Sequence, residues 1–491
     1  MYDVPNRNEL VIPLLVYLIG VTGSITAAEV PAGSLLAVRL THSVSSDTSK
    51  AEERVQALLA APVQLERGLR IPARTAVEGR VLTARSVGYG WRRERAHLEI
   101  EFDTLILDDG TRVTIKAKVS EIENARETVN RHGIISGTLA ASAPQLFLNG
   151  RLKSLPRWNP LTDHVLLIHR ATFPFFPQPE IRLPAGAHLR VRVTEPFVFP
   201  DNQLQHAEER RQPLPDALQS KPSRISTLKG QGSDLINVAL VGTEEEVVRA
   251  FDSAGWNEAR KATARSVFRG MRDVWEQSFD PYSPMSRMLW DGRAPDLQFQ
   301  KSLNSYAKRH HVRIWKAGIT EAGVPIWVGA ATHDAQLKFA WRRMHFTHGI
   351  SSDVDRERQK VHDDLAFAGC VESSSMLDRD LPGVLRNSDR TPMFTDGDVH
   401  WIDLQTFRHR RIGSAEEHQR MVRADRPLLQ RYLRQQVLVL RNDVLRANMF
   451  YSLGDLTRRL VRGIVSWNQE RGMLARRRGV TQKVEVASAL R

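Results

Sequence analysis

The sequence predicts a multidomain protein: an N-terminal all-β barrel or sandwich, a C-terminal α+β sandwich with an antiparallel sheet and helices, and a helical basic tail. Three observations lead there. Between about 30 and 200, apolar and polar residues alternate with period two and are broken by turn residues. From Asp234 to about 411, strand-like runs are interleaved with capped helical runs, as in a layered α+β fold. Beyond Ile412, apolar residues recur at helical spacing among arginines. At 491 residues the chain exceeds one ordinary core, so two or three domains are expected.

Bulk properties narrow the function classes. A hydrophobic content of 41% with 26% charged residues is that of a globular protein and excludes wholesale disorder. The net charge of +14 raises nucleic acid and anionic lipid as partners. Residues 412–491 hold 16 Lys/Arg against 7 Asp/Glu, so nine of those charges sit in the tail and the body is only mildly basic. A single cysteine, Cys370, excludes an intramolecular disulfide. It follows Phe367-Ala368-Gly369 at an expected helix end and reads as a small buried hydrophobe.

The first element is an apolar run, Leu10 to Val21, followed by small residues with Thr26 and Ala28 ahead of Glu29. Residues 1–28 read as a signal peptide cleaved after Ala28, with export to the periplasm or envelope, or as an uncleaved anchor in the inner membrane. Asp3, Arg7 and Glu9 leave it without the usual positive start. Predicted export argues against nucleic acid as the partner.

The β-rich stretch, 30–200, contains one pattern three times: VPAGSLLAVRL (30–40), IPARTAVEGRV (71–81) and LPAGAHLRVRV (183–193). Proline suits the start of a strand because it has no N–H to donate. Gly33, Arg74 and Gly186 fall at a turn, and Arg39, Arg80 and Arg192 stand eight positions after each proline. The pattern is read as a strand-start device without a ligand role. Ala96 to Leu107 alternates, Asp108-Asp109-Gly110 signals a hairpin, and a strand is expected over Thr111–Val119. This stretch resembles the β-domain of TrbI-like conjugation-channel proteins in IPART…GRV and FDTLILDDG, over about 100 residues, which implies an envelope protein–protein module.

Residues 201–232 are polar, lack periodicity and read as a linker. The α+β domain, 234–411, opens with the strand LINVAL and a capping box in which Thr243 caps and Glu246 reaches back. Val247, Val248 and Phe251 form the buried stripe of that helix, and Gly255 its C-terminal stop. In the basic helical tail, 412–491, Leu429, Leu433, Val437, Leu440 and Val444 recur at helical spacing. The tail reads as a helix capping the body or as one lying on an anionic membrane surface.

The richest stretch for chemistry is 299–358. Residues 308–316 and 325–334 read as adjacent antiparallel strands around Gly318–Gly323. Pairing Ile314 with Val328 and Val312 with Ala330 matches apolar to apolar and sets Trp315 opposite Trp327. That register gathers Arg309, His311, Arg313 and His333 on one cationic face floored by two indoles. Arginine forks suit phosphate or carboxylate, and His311 or His333 is the candidate acid or base for catalysis. The alternative is a covered face with the arginines paired to carboxylates such as Asp291 or Asp296. No compact metal-binding motif is present and no cofactor is expected; His311, His333 and His348 are the weak metal candidates. Asp353 and Asp355 read as helix-capping acids with Ser352 as cap. No nucleophile elbow or phosphate-binding glycine loop occurs.

Asp234-Leu235-Ile236-Asn237, LVGTEEEVVRAFDSAGW, DGRAPDLQFQKSL, RHHVRIWK, IWVGAATHD, FTH…DVDRER and FTDGDVHWIDL resemble the LssY-type C-terminal domain, in order, over about 234–405. That resemblance implies a bacterial, often envelope-associated protein. In some members the domain follows a membrane phosphatase of the phosphatidic-acid type, whose multiple spans are missing from this chain. It carries no assigned catalytic residues. The expected function is an exported envelope module recognising an anionic ligand, lipid or glycan, or a partner protein. The alternative is a hydrolase acting on a phosphate-containing lipid or glycan.

Overall fold

The computed structural model describes residues 27–65, 68–88, 93–140, 179–200, 203–206, 210–259, 285–305, 308–340, 345–381, 383–388, 391–405, 412, 427–447 and 457. The leader expected over 1–28 falls almost wholly outside them. The chain is mostly β, as expected, with few helices.

Six strands of the N-terminal part close on themselves: β1 (Leu35–Leu40), β2 (Arg54–Leu59), β3 (Ala76–Arg85), β4 (His97–Ile106), β5 (Arg112–Ile122) and β6 (His188–Val193). Each pairs antiparallel with the next, and β6 returns to β1. Closure leaves no free edge, and one face of every strand turns inward. That is why the period-two pattern was legible: Leu36, Val38 and Leu40, then Val55, Ala57 and Leu59, fill the interior.

The three sequence repeats are the starts of β1, β3 and β6. Their turn residues all take the left-handed conformation, Gly33 at φ 92°, Arg74 at 69° and Gly186 at 84°. The Gly33 N–H donates to Val193 O and the Gly186 N–H to Leu40 O, so repeats one and three clasp each other antiparallel. That clasp sets His188 directly opposite Arg39.

A register shift in the β3–β4 pairing brings Gly79 against its neighbour. A Cβ on Gly79 would lie 2.2 Å from Glu101 O and 2.8 Å from Phe102 Cα. Backbone cannot yield there as a flexible side chain would. Gly79→Ala is expected to lower stability by roughly 3 kcal/mol in urea denaturation; an unchanged midpoint would show that the two strands can part without cost.

The second module is built on one mixed sheet. Its central strands are β7 (Val238–Val241), β8 (Leu297–Lys301), β9 (Arg309–Ile319), β10 (Pro325–Ala340), β11 (Val371–Asp378) and β12 (Val399–Leu404). Most neighbours are antiparallel; β7 and β12 run parallel. Helices α1 (Glu244–Ser253) and α2 (Asp355–Phe367) cover one face, with Val247, Phe251, Val361 and Leu365 packed on Val312, Ile314 and Trp327. The other face meets Ile225 and Trp290, which pack on Trp315, Val328 and Ala330. The stretch expected as a linker, 201–232, belongs in part to this module: Arg211–Pro213 pairs with β11 and Arg224–Thr227 with Gly232–Leu235. Its polar composition reflects edge positions, which carry no apolar period to read.

The capping box on α1 is present, with Thr243 and Glu246 exchanging bonds at 2.8 and 3.2 Å. The helix stops at Gly255, φ 87°, where Trp256 N–H donates to Phe251 O and Gly255 N–H to Asp252 O. Helix α2 ends the same way, Cys370 N–H reaching Leu365 O. Cys370 is fully buried, and burial pushes its thiol up to about 11. At the start of α2 the expectation is corrected. Asp355 is the first helical residue, and the Asp353 carboxylate, not Ser352, accepts the Arg356 N–H at 3.1 Å. Helix α3 (Leu428–Ala447) rests on the barrel through Leu438 and Val439.

Candidate functional site

The expected cationic face does not form. Strands β9 and β10 pair one residue away from the expected register: His310 faces His333, Val312 faces Ala331, Arg313 faces Ala330 and Trp315 faces Val328. Directly opposed residues share a face, so a slip of one moves every β10 side chain to the other side. Trp315 and Trp327 therefore lie on opposite faces, in separate clusters. The apolar match misled because both faces of this pair are buried, so Val312 and Ile314 find apolar partners in either register. A bulge between Lys316 and Gly318 takes up the extra residue.

Arg309, His311 and Arg313 stay together but are sealed in. Arg309 Nε donates to Asp334 at 3.0 Å and its Nη1 to Gln300 at 3.2 Å; His311 Nε2 meets Thr332 at 2.6 Å; Arg313 lies 3.7 Å from Asp234. All three are under 7% exposed. The carboxylates are Asp334 and Asp234. Asp291 pairs with Lys221, and Asp296 accepts the Lys316 backbone N–H. These residues hold the sheet together and offer no fork to a ligand. The side chain of His348 lies outside the described residues. Among the described residues no group of three or more His, Cys, Asp or Glu could hold a metal ion.

The slip brings a different set together. His333 stacks on His310, ring centroids 4.5 Å apart, and both open onto a cleft of about 430 Å³ between the barrel and the second module. The barrel contributes His188, Glu123 and Asn124; the second module contributes Lys308, Glu357 and Lys360.

Its floor is a buried charge network centred on Asp364. That carboxylate takes Arg39 at 3.0 Å, Lys360 at 2.7 Å, Lys301 at 2.7 Å and the Trp256 indole N–H at 3.0 Å. Burial alone would raise its pKa, but the lysines, His188 and Arg39 hold it well below the usual carboxylate range. Arg39 also donates to His188 Nε2 at 2.6 Å and lies 4.2 Å over the Phe367 ring. Burial, then the nearby Lys360 and Arg39 charges, keep His188 neutral, well below the ordinary imidazole value. Its other nitrogen points at Glu123, 3.2 Å away.

Glu123 and Glu357 flank His310. Glu357 Oε2 lies 2.8 Å from His310 Nδ1, and Glu123 Oε1 lies 3.4 Å from Nε2. Burial opposes charging, yet the two carboxylates prevail and push His310 up to about 9. His333 goes the other way, lowered to about 4 by burial and by the charge on His310. Asn124 Nδ2 donates to Lys301 O at 3.2 Å, so its Oδ1 is the acceptor for His333 Nε2–H at 2.8 Å. That leaves Nδ1 of a neutral His333 with its lone pair, and among the described residues no hydrogen bond reaches it.

The sequence reading missed His310, Glu357, Glu123, Asp364, Arg39 and His188. One signal was present. Glu357 and Asp364 sit on the same stripe of α2 as Val361, Leu365 and Ala368, and a carboxylate on a buried stripe requires a buried cation.

Residues 218–399 match the LssY C-terminus family model. The match takes in β7 to β10, α1 and α2, and so the second-module wall of the cleft. Arg39, Glu123, Asn124 and His188 lie outside the LssY C-terminus segment, in the barrel. No curated protein matches the chain. ComB10 of the Com type IV secretion system of Helicobacter pylori aligns with 12% identity over 37% of this chain and 98% of that one. Its TM-score is 0.20. No helix among the described residues is long and apolar enough to cross a membrane.

Proposed function

We propose that this chain is an exported recognition module of the bacterial envelope, binding a polar, hydroxyl-rich ligand of the glycan class in the cleft between its barrel and its LssY C-terminus segment. The apolar leader and the family resemblance support the location. One observation carries the ligand class: a neutral imidazole with an unspent acceptor opens onto a cleft whose charges already balance. Lys360, His310 and Arg39 answer Glu123, Glu357 and Asp364 inside; Arg190, Lys308 and Arg356 stand with Glu121, Asp353 and Asp363 at the rim. An incoming anion meets few unspent cations, whereas hydroxyl groups donate and accept and fit such a lining.

Soluble uncharged oligosaccharides, such as N-acetylglucosamine oligomers, titrated into the full chain are expected to bind. His333→Ala should weaken binding about tenfold, the loss of one buried hydrogen bond. Calorimetry that finds no heat for any such oligosaccharide, or equal affinity in the variant, would remove the reading.

A second reading rests on the split between the stacked imidazoles. At neutral pH one is protonated and the other is not, the arrangement of an acid and a base in hydrolysis. Turnover of a nitrophenyl glycoside or phosphoester that disappears in both His310→Gln and His333→Ala would favour it over binding alone.

A further inference from the structure

Helix α3 carries two apolar stripes, and the barrel covers only one. Leu438 and Val439 pack into the barrel core, while Gln435 and Arg441 are buried beside them. Leu429, Leu433, Val437, Leu440 and Val444 are 68, 54, 41, 64 and 63% exposed. At ~100° per residue these five fall within an arc of roughly 80°, on the side away from the barrel. Apart from Tyr432, at the edge of the same helix, the other large apolar side chains exposed among the described residues, such as Val198, Leu228 and Ile319, stand on separate elements. A continuous solvated stripe of this kind marks an interaction surface.

The stripe has a register. Leu433, Val437, Leu440 and Val444 are spaced four, three and four apart, the d-a-d-a positions of a heptad. Valine occupies both a positions and leucine both d positions, the combination that favours two parallel strands. The flanking e positions, Arg434 and Arg441, are drawn away from the seam: Arg434 binds Glu180, and Arg441 lies 3.7 Å from Glu94. Like charges therefore do not face each other across the seam. For the same reason these two arginines are not free to meet anionic headgroups, as a surface-lying helix requires.

We propose that α3 pairs with α3 of a second copy of this chain as a parallel two-stranded coiled coil. The barrel sits on the far side of the helix, so a two-fold axis along the seam carries both barrels outward.

Sedimentation of the full chain over a rising concentration series tests this. Wild type should pass from the mass of one chain to that of two. The double variant Leu433→Lys, Leu440→Lys should remain a single chain with an unchanged unfolding midpoint, since both positions are solvated. Val437→Cys should cross-link to its counterpart under mild oxidation, because an a position faces itself only in a parallel, in-register pair; buried Cys370 does not compete. Wild type staying single at every concentration, or a double variant that still pairs, overturns the proposal. So does a single-chain wild type whose binding to phosphatidylglycerol vesicles is lost in the double variant, which would make the stripe a membrane contact.

Discussion

Replacing Asp364 with alanine is expected to cost about 3–5 kcal/mol of unfolding free energy, because removing one member of a buried ion network leaves the others uncompensated. Asp364 is 1% exposed and is the shared partner of Arg39, Lys301 and Lys360. Its loss takes the shared partner from Arg39, Lys301 and Lys360 and orphans the Trp256 N–H. Asp364→Asn keeps the shape but not the charge and should fall most of the way. Urea denaturation followed by tryptophan fluorescence reports both, since Trp256 touches the carboxylate itself. A loss under 1 kcal/mol in the alanine variant would mean that water or rearranged side chains replace the carboxylate.

The second large effect is on pH dependence. His310 is raised from 6.5 to about 9, so the folded state holds its proton more tightly than the unfolded chain. Its contribution is complete below about 6.5 and is lost as pH rises through about 9. The loss is on the order of 3 kcal/mol, at about 1.4 kcal/mol per unit. His333, lowered to about 4, and His400, lowered to about 2 chiefly by burial, act in the opposite sense. For them the unfolded chain takes the proton first, so stability present above about 6.5 falls away as pH drops toward about 4. Asp364 and Glu123, both held low, strengthen that acid limb. From the histidines, stability should therefore peak near pH 6.5 and decline on both sides, with the alkaline fall opposed by Lys301, whose ammonium burial holds well below its ordinary value. His310→Gln should flatten the alkaline limb and leave the acid one. An alkaline limb of equal depth in that variant would assign it to another group.

The barrel and the site differed in how far the sequence revealed them. Val38 and Leu40, or Val191 and Val193, betray their strands because a closed barrel has one wet and one dry face. The Pro-Ala-turn repeats marked three strand starts for the same local reason: Gly33, Arg74 and Gly186 need a left-handed residue after the proline. The capping box at Thr243 and the stop at Gly255 are likewise local. The pairing of β9 with β10 is not. With both faces buried, Val312 satisfies either register, and Asn237 helps fix the one that forms by bonding both N–H and C=O of Ala331 at 2.9 and 3.0 Å. The site lay further from view because its two walls are more than 100 residues apart: Arg39 and His188 meet Asp364 only after both modules have formed. Nothing in the spacing of the repeats separates Arg39, buried at 3%, from the partly exposed Arg80.

Because Asp364 is neutralised partly by Arg39, and His310 partly by Glu123, the seam between the modules is also a shared pool of countercharge. The limits of the family match, 218 and 399, are thus not limits of electrical neutrality. A segment of this kind transplanted behind a different neighbour would inherit Asp364, Lys360 and His310 without their barrel counterparts. It would need either a new host offering a guanidinium and a carboxylate at the same two points, or simultaneous substitution of the stranded residues. Recombination at this boundary is therefore constrained by charge as much as by shape.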